Sequence, residues 1–124
     1  MKQSNIKGTA VYLRVATPCH MGIWTQETKA KNYLREVGDT KSVTYFRDNG
    51  FSGCTFERPA FQDMLGQVVE GTISKIVIVS LSRLARGYLL MVELLHMLNA
   101  YGVQLVSLDE SIEDDVFLMG CSHE

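Results

Sequence analysis

The sequence has 124 residues, 46% hydrophobic and 21% charged, which suits one compact domain with a real core and excludes a disordered or low-complexity chain. No apolar run nears the roughly 18 residues of a membrane span, and Met1 to Gly8 is polar with no signal-peptide core, so a cytoplasmic protein is expected. The formal net charge of -2 hides a split: all 12 Lys and Arg precede residue 109, against 8 acids there, leaving +4 on residues 1–108 and an acidic tail beyond.

Taken in order, Lys7 to Val15 reads as a strand with Ala10-Val11-Tyr12-Leu13 as its apolar part. Side chains two apart share a strand face, so Tyr12, Arg14 and Ala16 point one way and Val11, Leu13 and Val15 the other. An arginine late in an apolar strand calls for an anion. Pro18 and Gly22 predict a loop from Ala16 to Ile23, with Thr25 capping a helix that runs to about Val37. A second strand is expected over Ser42–Phe46, then a mobile, turn-rich loop from Arg47 to Gly53. Pro59 suits the first turn of a helix with Phe61, Met64, Leu65 and Val68 on its apolar face. Lys75–Val79 reads as a third strand, running into Ser80-Leu81-Ser82-Arg83-Leu84-Ala85-Arg86. If that stretch is helical, Arg83 and Arg86 share a face. The next helix carries Leu90, Val92, Leu94, Leu95 and Leu98, apolar almost all round, so burial is expected. Val103–Leu108 is a fourth strand.

Strands alternating with helices predict an α/β fold. The expected form has three layers: a mainly parallel sheet of four to five strands with helices on both faces. The carboxyl ends of parallel strands share one edge. That edge would collect Arg14 and Ala16, then Asp48, then Ser82, Arg83 and Arg86, with Arg58 in reach at the next helix start. Four arginines on one rim would form a strong anion site able to stabilise phosphoryl transfer without metal. The competing expectation pairs each arginine with a local carboxylate such as Asp48, Glu57 or Asp63.

Other chemistries have little support. There is no Gly-x-x-x-x-Gly-Lys-Ser/Thr loop and no Gly-x-Gly-x-x-Gly after the first strand, so no nucleotide or other small-molecule cofactor is expected. Cys19, Cys54 and Cys121 are odd in number and lack a Cys-x-x-Cys pair, which argues for a reducing compartment. A zinc set of Cys19, His20, Cys121 and His123 is disfavoured, because the second pair falls in the tail; no metal is expected. His96, Trp24, Met64, Met91 and Met97 read as packing residues.

Three segments then carry a resemblance. Tyr12-Leu13-Arg14-Val15-Ala16-Thr17 resembles the Tyr-x-Arg-Val-Ser-Thr motif of serine recombinases, the resolvase/invertase group. Asp48-Asn49-Gly50-Phe51-Ser52-Gly53 with Glu57-Arg58-Pro59-Ala60-Phe61 resembles that family's Asp-x-Gly-x-Ser-Gly and Arg-Pro segment. Ser82-Arg83-Leu84-Ala85-Arg86 resembles its Ser/Asp-Arg-Leu-x-Arg segment. Order and spacing agree over about residues 8–108, in a wording similar to the large serine recombinases of mobile elements.

The resemblance implies site-specific DNA recombination, in which a serine attacks a phosphodiester to give a 5′-phosphoserine link and a free 3′-hydroxyl. It implies phosphate contacts from Arg14, Arg58, Arg83 and Arg86, and a positioning role for Asp48. Tyr12, Thr17, Gln26 and Ser82 would support the site, Gln26 matching a family glutamine only loosely. The implied partner is the DNA backbone, and the implied full-length assembly a homodimer or tetramer, with no cofactor and no membrane.

The nucleophile position holds Ala16, so an inactive site is expected, in preference to chemistry by Thr17. Either the serine was replaced, or the chain is a natural variant acting as a DNA- or partner-binding modulator. The family's long dimerisation helix and DNA-binding domain are also missing from residues 1–124. The expectation is therefore a single catalytic-type domain, with its core over about 8–108 and a tail over 109–124.

Overall fold

The computed structural model describes residues 7–40 and 42–109. The elements are β1 (Gly8–Val15), α1 (His20–Val37), β2 (Val43–Asn49), α2 (Pro59–Glu70), β3 (Ile73–Ile78), α3 (Leu81–Leu84), α4 (Tyr88–Ala100) and β4 (Gln104–Ser107). Four parallel strands form one sheet in the order β2-β1-β3-β4. Right-handed crossovers then dictate the layers. The step from β1 to β2 runs one way along the sheet, and those to β3 and β4 run the other. So α1 covers one face while α2, α3 and α4 cover the opposite one.

The core divides accordingly. Val11, Leu13, Val15 and Val77 pack with Ile23, Ala30 and Leu34 of α1. Ala10, Tyr12, Phe46, Ile76 and Ile78 pack with Phe61, Met64 and Val68 of α2, with Leu84, and with Leu94 and Leu98 of α4. This is the expected three-layer architecture, and the alternation along β1 separates the two clusters as its period of two requires. The direction in which successive strands are added reverses between β1 and β3, and in open α/β sheets ligands bind at the carboxyl ends of the strands at such a switch point.

Several elements differ from expectation. Helix α1 begins at His20, capped by the Cys19 Sγ, which accepts from the Gly22 amide at 3.3 Å. Thr25 is inside the helix, its hydroxyl donating to the Met21 carbonyl. Gly22 is tolerated because a side chain there would press on Val15. Strand β2 continues through Arg47 and Asp48 to Asn49, pairing Arg14 with Asp48 and Val15 with Asn49. Partnership with β1 thus overrides the local turn propensity.

The arginine stretch is not one helix. Four-residue α3 ends at Leu84, Ala85 is extended, and α4 starts after Gly87, which holds φ 96. In α4 only Leu94 and Leu98 are fully buried; Leu89 is 77% exposed, and His96 faces solvent. Trp24 is exposed as well and is no packing anchor. Met64 is buried, while Met91 and Met97 lie at the core margin.

Candidate phosphate-binding site at the sheet edge

Arg14, Asp48 and Arg58 are each only 1% exposed. A buried guanidinium must spend its N–H groups on partners. Arg14 spends them on backbone carbonyls. Its Nε donates to Arg83 O (3.0 Å), its Nη2 to Ser82 O (2.6 Å) and its Nη1 to Phe51 O (2.8 Å). Arg58 donates from Nε to Thr55 O (2.8 Å), and from Nη1 to Leu84 O (2.7 Å) and the Tyr12 hydroxyl (3.2 Å). Its guanidinium also lies over the Phe61 ring, 4.0 Å from the centroid.

These bonds explain why so short a helix as α3 persists. The last carbonyls of a helix lack intrahelical partners. In α3, Leu81 O takes the Ala85 amide, Ser82 O and Arg83 O take Arg14, and Leu84 O takes Arg58. The two inner arginines therefore clamp the turn that carries the two outer ones, Arg83 and Arg86.

Asp48 organises the opposite side. Its Oδ2 accepts from the Tyr12 hydroxyl (2.6 Å) and the Phe61 amide (3.0 Å), and its Oδ1 from the Ala60 amide (2.9 Å). It thus caps the N-terminus of α2 from a distant strand, where a carboxylate is favoured. Burial, then the bond to Asp48, holds the Tyr12 phenol well above its ordinary pKa, so it stays a neutral donor. Gln26 from α1 makes two hydrogen bonds to Arg14's backbone: Nε2 donates to Arg14 O (2.9 Å), and Oε1 accepts from Arg14 N (3.3 Å). The β1–β3 pairing runs to Val11 and Val77, so Gln26 braces the strand end beyond it.

The expected carboxylate partners are not there. Among the described residues, none of Arg14, Arg58, Arg83 and Arg86 forms an ion pair; the four ion pairs found involve Lys29, Lys31, Arg47 and Lys75. Burial, then the charge of Arg58 and those of Arg83 and Arg86, pulls Arg14 below the usual guanidinium pKa. Cations that repel one another without a counter-ion make a site that favours an anion. Among the described residues, two buried N–H positions, Arg58 Nη2 and Arg83 Nε, find no hydrogen-bond partner. Arg86 is exposed, as are Ala16 and Thr17 in the bend just past β1. Ser82 is exposed too, its hydroxyl 3.0 Å from that of Ser80.

Two contributors escaped the sequence reading as site residues. Phe61, a core residue of α2 by its helical spacing, also stacks on Arg58. Gly53 is the other: a Cβ there would lie 2.7 Å from both Arg14 Nη2 and Arg86 Cγ. Because three carbonyls hold Arg14 in place, Gly53→Ala is expected to destabilise by about 1–3 kcal/mol, read as a lowered urea midpoint. An unchanged midpoint would contradict this close packing. Among the described residues no group of three or more His, Cys, Asp or Glu side chains is placed to hold a metal, and no helix is long and apolar enough to cross a membrane. Cys121 and His123 lie outside the described residues.

Fold and geometry together define an α/β domain with four arginines gathered near its topological switch point. The sequence matches the family described as resolvase, N-terminal domain, over residues 9–118, and the chain belongs to that family. Among solved structures it is similar to the N-terminal catalytic domain of TP901-1 integrase, at 26% identity and a TM-score of 0.80, covering 91% of this chain and 90% of that one. A resolvase family site-specific recombinase from Streptococcus pneumoniae shares the fold at 22% identity and a TM-score of 0.74, covering 90% and 80%. So does the C-terminal catalytic domain of ISC1926 TnpA, an IS607-like serine recombinase, at 18% identity and 0.73, covering 88% and 75%. A search of curated proteins finds no match.

Proposed function

We propose that this chain is the catalytic-type domain of a site-specific DNA recombinase whose arginine rim receives the scissile phosphodiester, and that Ala16 leaves it able to bind but not to cut. The observation that carries this reading is the gathering of four arginines, free of ion pairs among the described residues, at the sheet edge where β1 ends just before exposed Ala16. In the family's reaction a serine oxygen attacks phosphorus, the 3′-oxygen leaves, and the DNA 5′-phosphate stays on the protein. Charge builds on the non-bridging oxygens during that step, and fixed guanidinium groups stabilise it. Arg83 and Arg86 stand on the outward side of the rim and meet the phosphate first. Arg14 and Arg58, gripped by the backbone, hold those two in place. Asp48 and Tyr12 fix Arg58, and Gln26 fixes the strand end that presents position 16.

A methyl group supplies no nucleophile. Thr17 bears a hydroxyl but is β-branched and one residue further along the bend than position 16. Ala16 equally favours a second reading, a modulator that occupies recombination sites or partners without cleaving.

Salt dependence tests the rim. Arg86→Ala should weaken binding to duplex DNA regardless of sequence and reduce the slope of log affinity against log salt by about 1. Arg35→Ala, an exposed arginine in the last turn of α1 at the opposite sheet edge, should leave the slope unchanged. Equal slopes for Arg86→Ala and the unsubstituted chain would remove the support for a phosphate contact there.

A further inference from the structure

The loop between β2 and α2 touches three of the four arginines through its own backbone. Phe51 O accepts from Arg14 Nη1 (2.8 Å), Gly53 O from the Arg86 amide (2.8 Å) and Thr55 O from Arg58 Nε (2.8 Å). Gly53 itself is buried and lies directly against the Arg14 guanidinium and the Arg86 side chain. The near end of the loop is pinned to the end of β1: the Gly50 and Phe51 amides both donate to Val15 O, at 2.8 and 3.1 Å. Its flanking side chains Phe51, Ser52, Cys54, Thr55 and Glu57 are exposed.

We propose that residues 50–57 are a strap whose carbonyls stand in for phosphate oxygens on the arginines while the site is empty, and that a phosphodiester reaches Arg14 only by displacing it. The proposal rests on the reading of the rim as a phosphate site. A carbonyl carries only a partial charge, and an anionic oxygen makes a hydrogen bond about twice as strong with a guanidinium. The exchange therefore favours phosphate once the strap has lifted. The strap has little apolar anchoring: its far end is held by Phe56, half-buried against Phe61, and by hydrogen bonds from Arg58 Nε to Thr55 O and from Gln62 Nε2 to Phe56 O. Displacing it exchanges hydrogen bonds and leaves the core intact. The strap also shields Arg14 from adventitious anions, so occupancy becomes conditional on a ligand that can hold the open form.

Gly50→Ala separates strap from rim. Gly50 has φ 98, which an alanine adopts only with strain, and a Cβ there would sit 2.9 Å from Pro18 Cγ. The substitution loosens the pinned end and touches no arginine. The probe is a short DNA duplex of mixed sequence, titrated into the full chain. The expected result is binding roughly threefold to tenfold tighter for Gly50→Ala, since a larger fraction of molecules is already open. In the unsubstituted chain, the Phe51 and Arg86 amides should lose hydrogen-exchange protection as duplex binds. If Gly50→Ala does not fold, that exchange measurement decides alone. Binding that depends on Arg86 but leaves both amides protected would overturn the strap and keep the rim. Binding indifferent to Arg86→Ala would remove the rim reading, and the strap with it.

Discussion

Asp48→Ala is expected to lower the stability of the domain by about 3–5 kcal/mol, out of the roughly 5–15 kcal/mol that holds such a domain folded. The carboxylate is buried and accepts three hydrogen bonds, from the Tyr12 hydroxyl and the Ala60 and Phe61 amides. Its removal strands all three donors away from water, each at a cost of about 1–3 kcal/mol when left unmade. It also takes a buried carboxylate from a network that includes the buried Arg58 cation, reached through Tyr12. Asp48→Asn is no rescue. Its two oxygens face the Ala60 and Phe61 amides, so either orientation of the amide aims an N–H group at a backbone N–H. Tyr12→Phe removes only one of the three bonds and should cost less than either. Urea denaturation of the three variants gives the ranking; a loss for Asp48→Ala below about 1 kcal/mol, as for an exposed aspartate, would contradict the network.

Much of the architecture could be read from residue patterns. The apolar runs around Val11 and Val77, the proline at α2 and the alternation of elements led to the parallel sheet and its two covered faces. The arginines and Asp48 were found because polar groups at strand ends stand out against apolar surroundings. Their partners could not be found that way. Arg14 is held by carbonyls of Phe51, Ser82 and Arg83, and every residue has a carbonyl, so no residue type announces such a partner.

The same limit explains the misplaced boundaries. Arg47-Asp48-Asn49 is turn-forming by composition and becomes strand because β1 lies beside it. Cysteine is an uncommon N-cap, so the start of α1 at His20 carried no recognisable signal. Helix α4 is apolar on most sides, and composition alone cannot say that only the face bearing Leu94 and Leu98 meets the sheet. The exposed remainder, with Tyr88 and Leu89, is surface that residue type mislabels as core.

The second large effect concerns position 16. On the proposed reading the four arginines of the rim hold a phosphate, and Ala16, just past the end of β1, has no functional group to attack it. Ala16→Ser adds one hydroxyl at an exposed position in the bend after β1, where there is room for it. It restores the oxygen that the arginine rim would serve, and the expected change is from no covalent chemistry to detectable chemistry. The measurement is made on the chain carrying Ala16→Ser, fused to a DNA-binding domain of defined target and incubated with duplex bearing that target. The account predicts a protein–DNA adduct that survives denaturation, is destroyed by protease and carries the DNA through its 5′-phosphate. The adduct should be absent from the Ala16 form and from Ala16→Ser combined with Arg83→Ala. A fusion that holds its DNA yet forms no adduct with Ala16→Ser, or forms one equally well with Ala16, would contradict the claim that this rim is a phosphodiester site built around position 16.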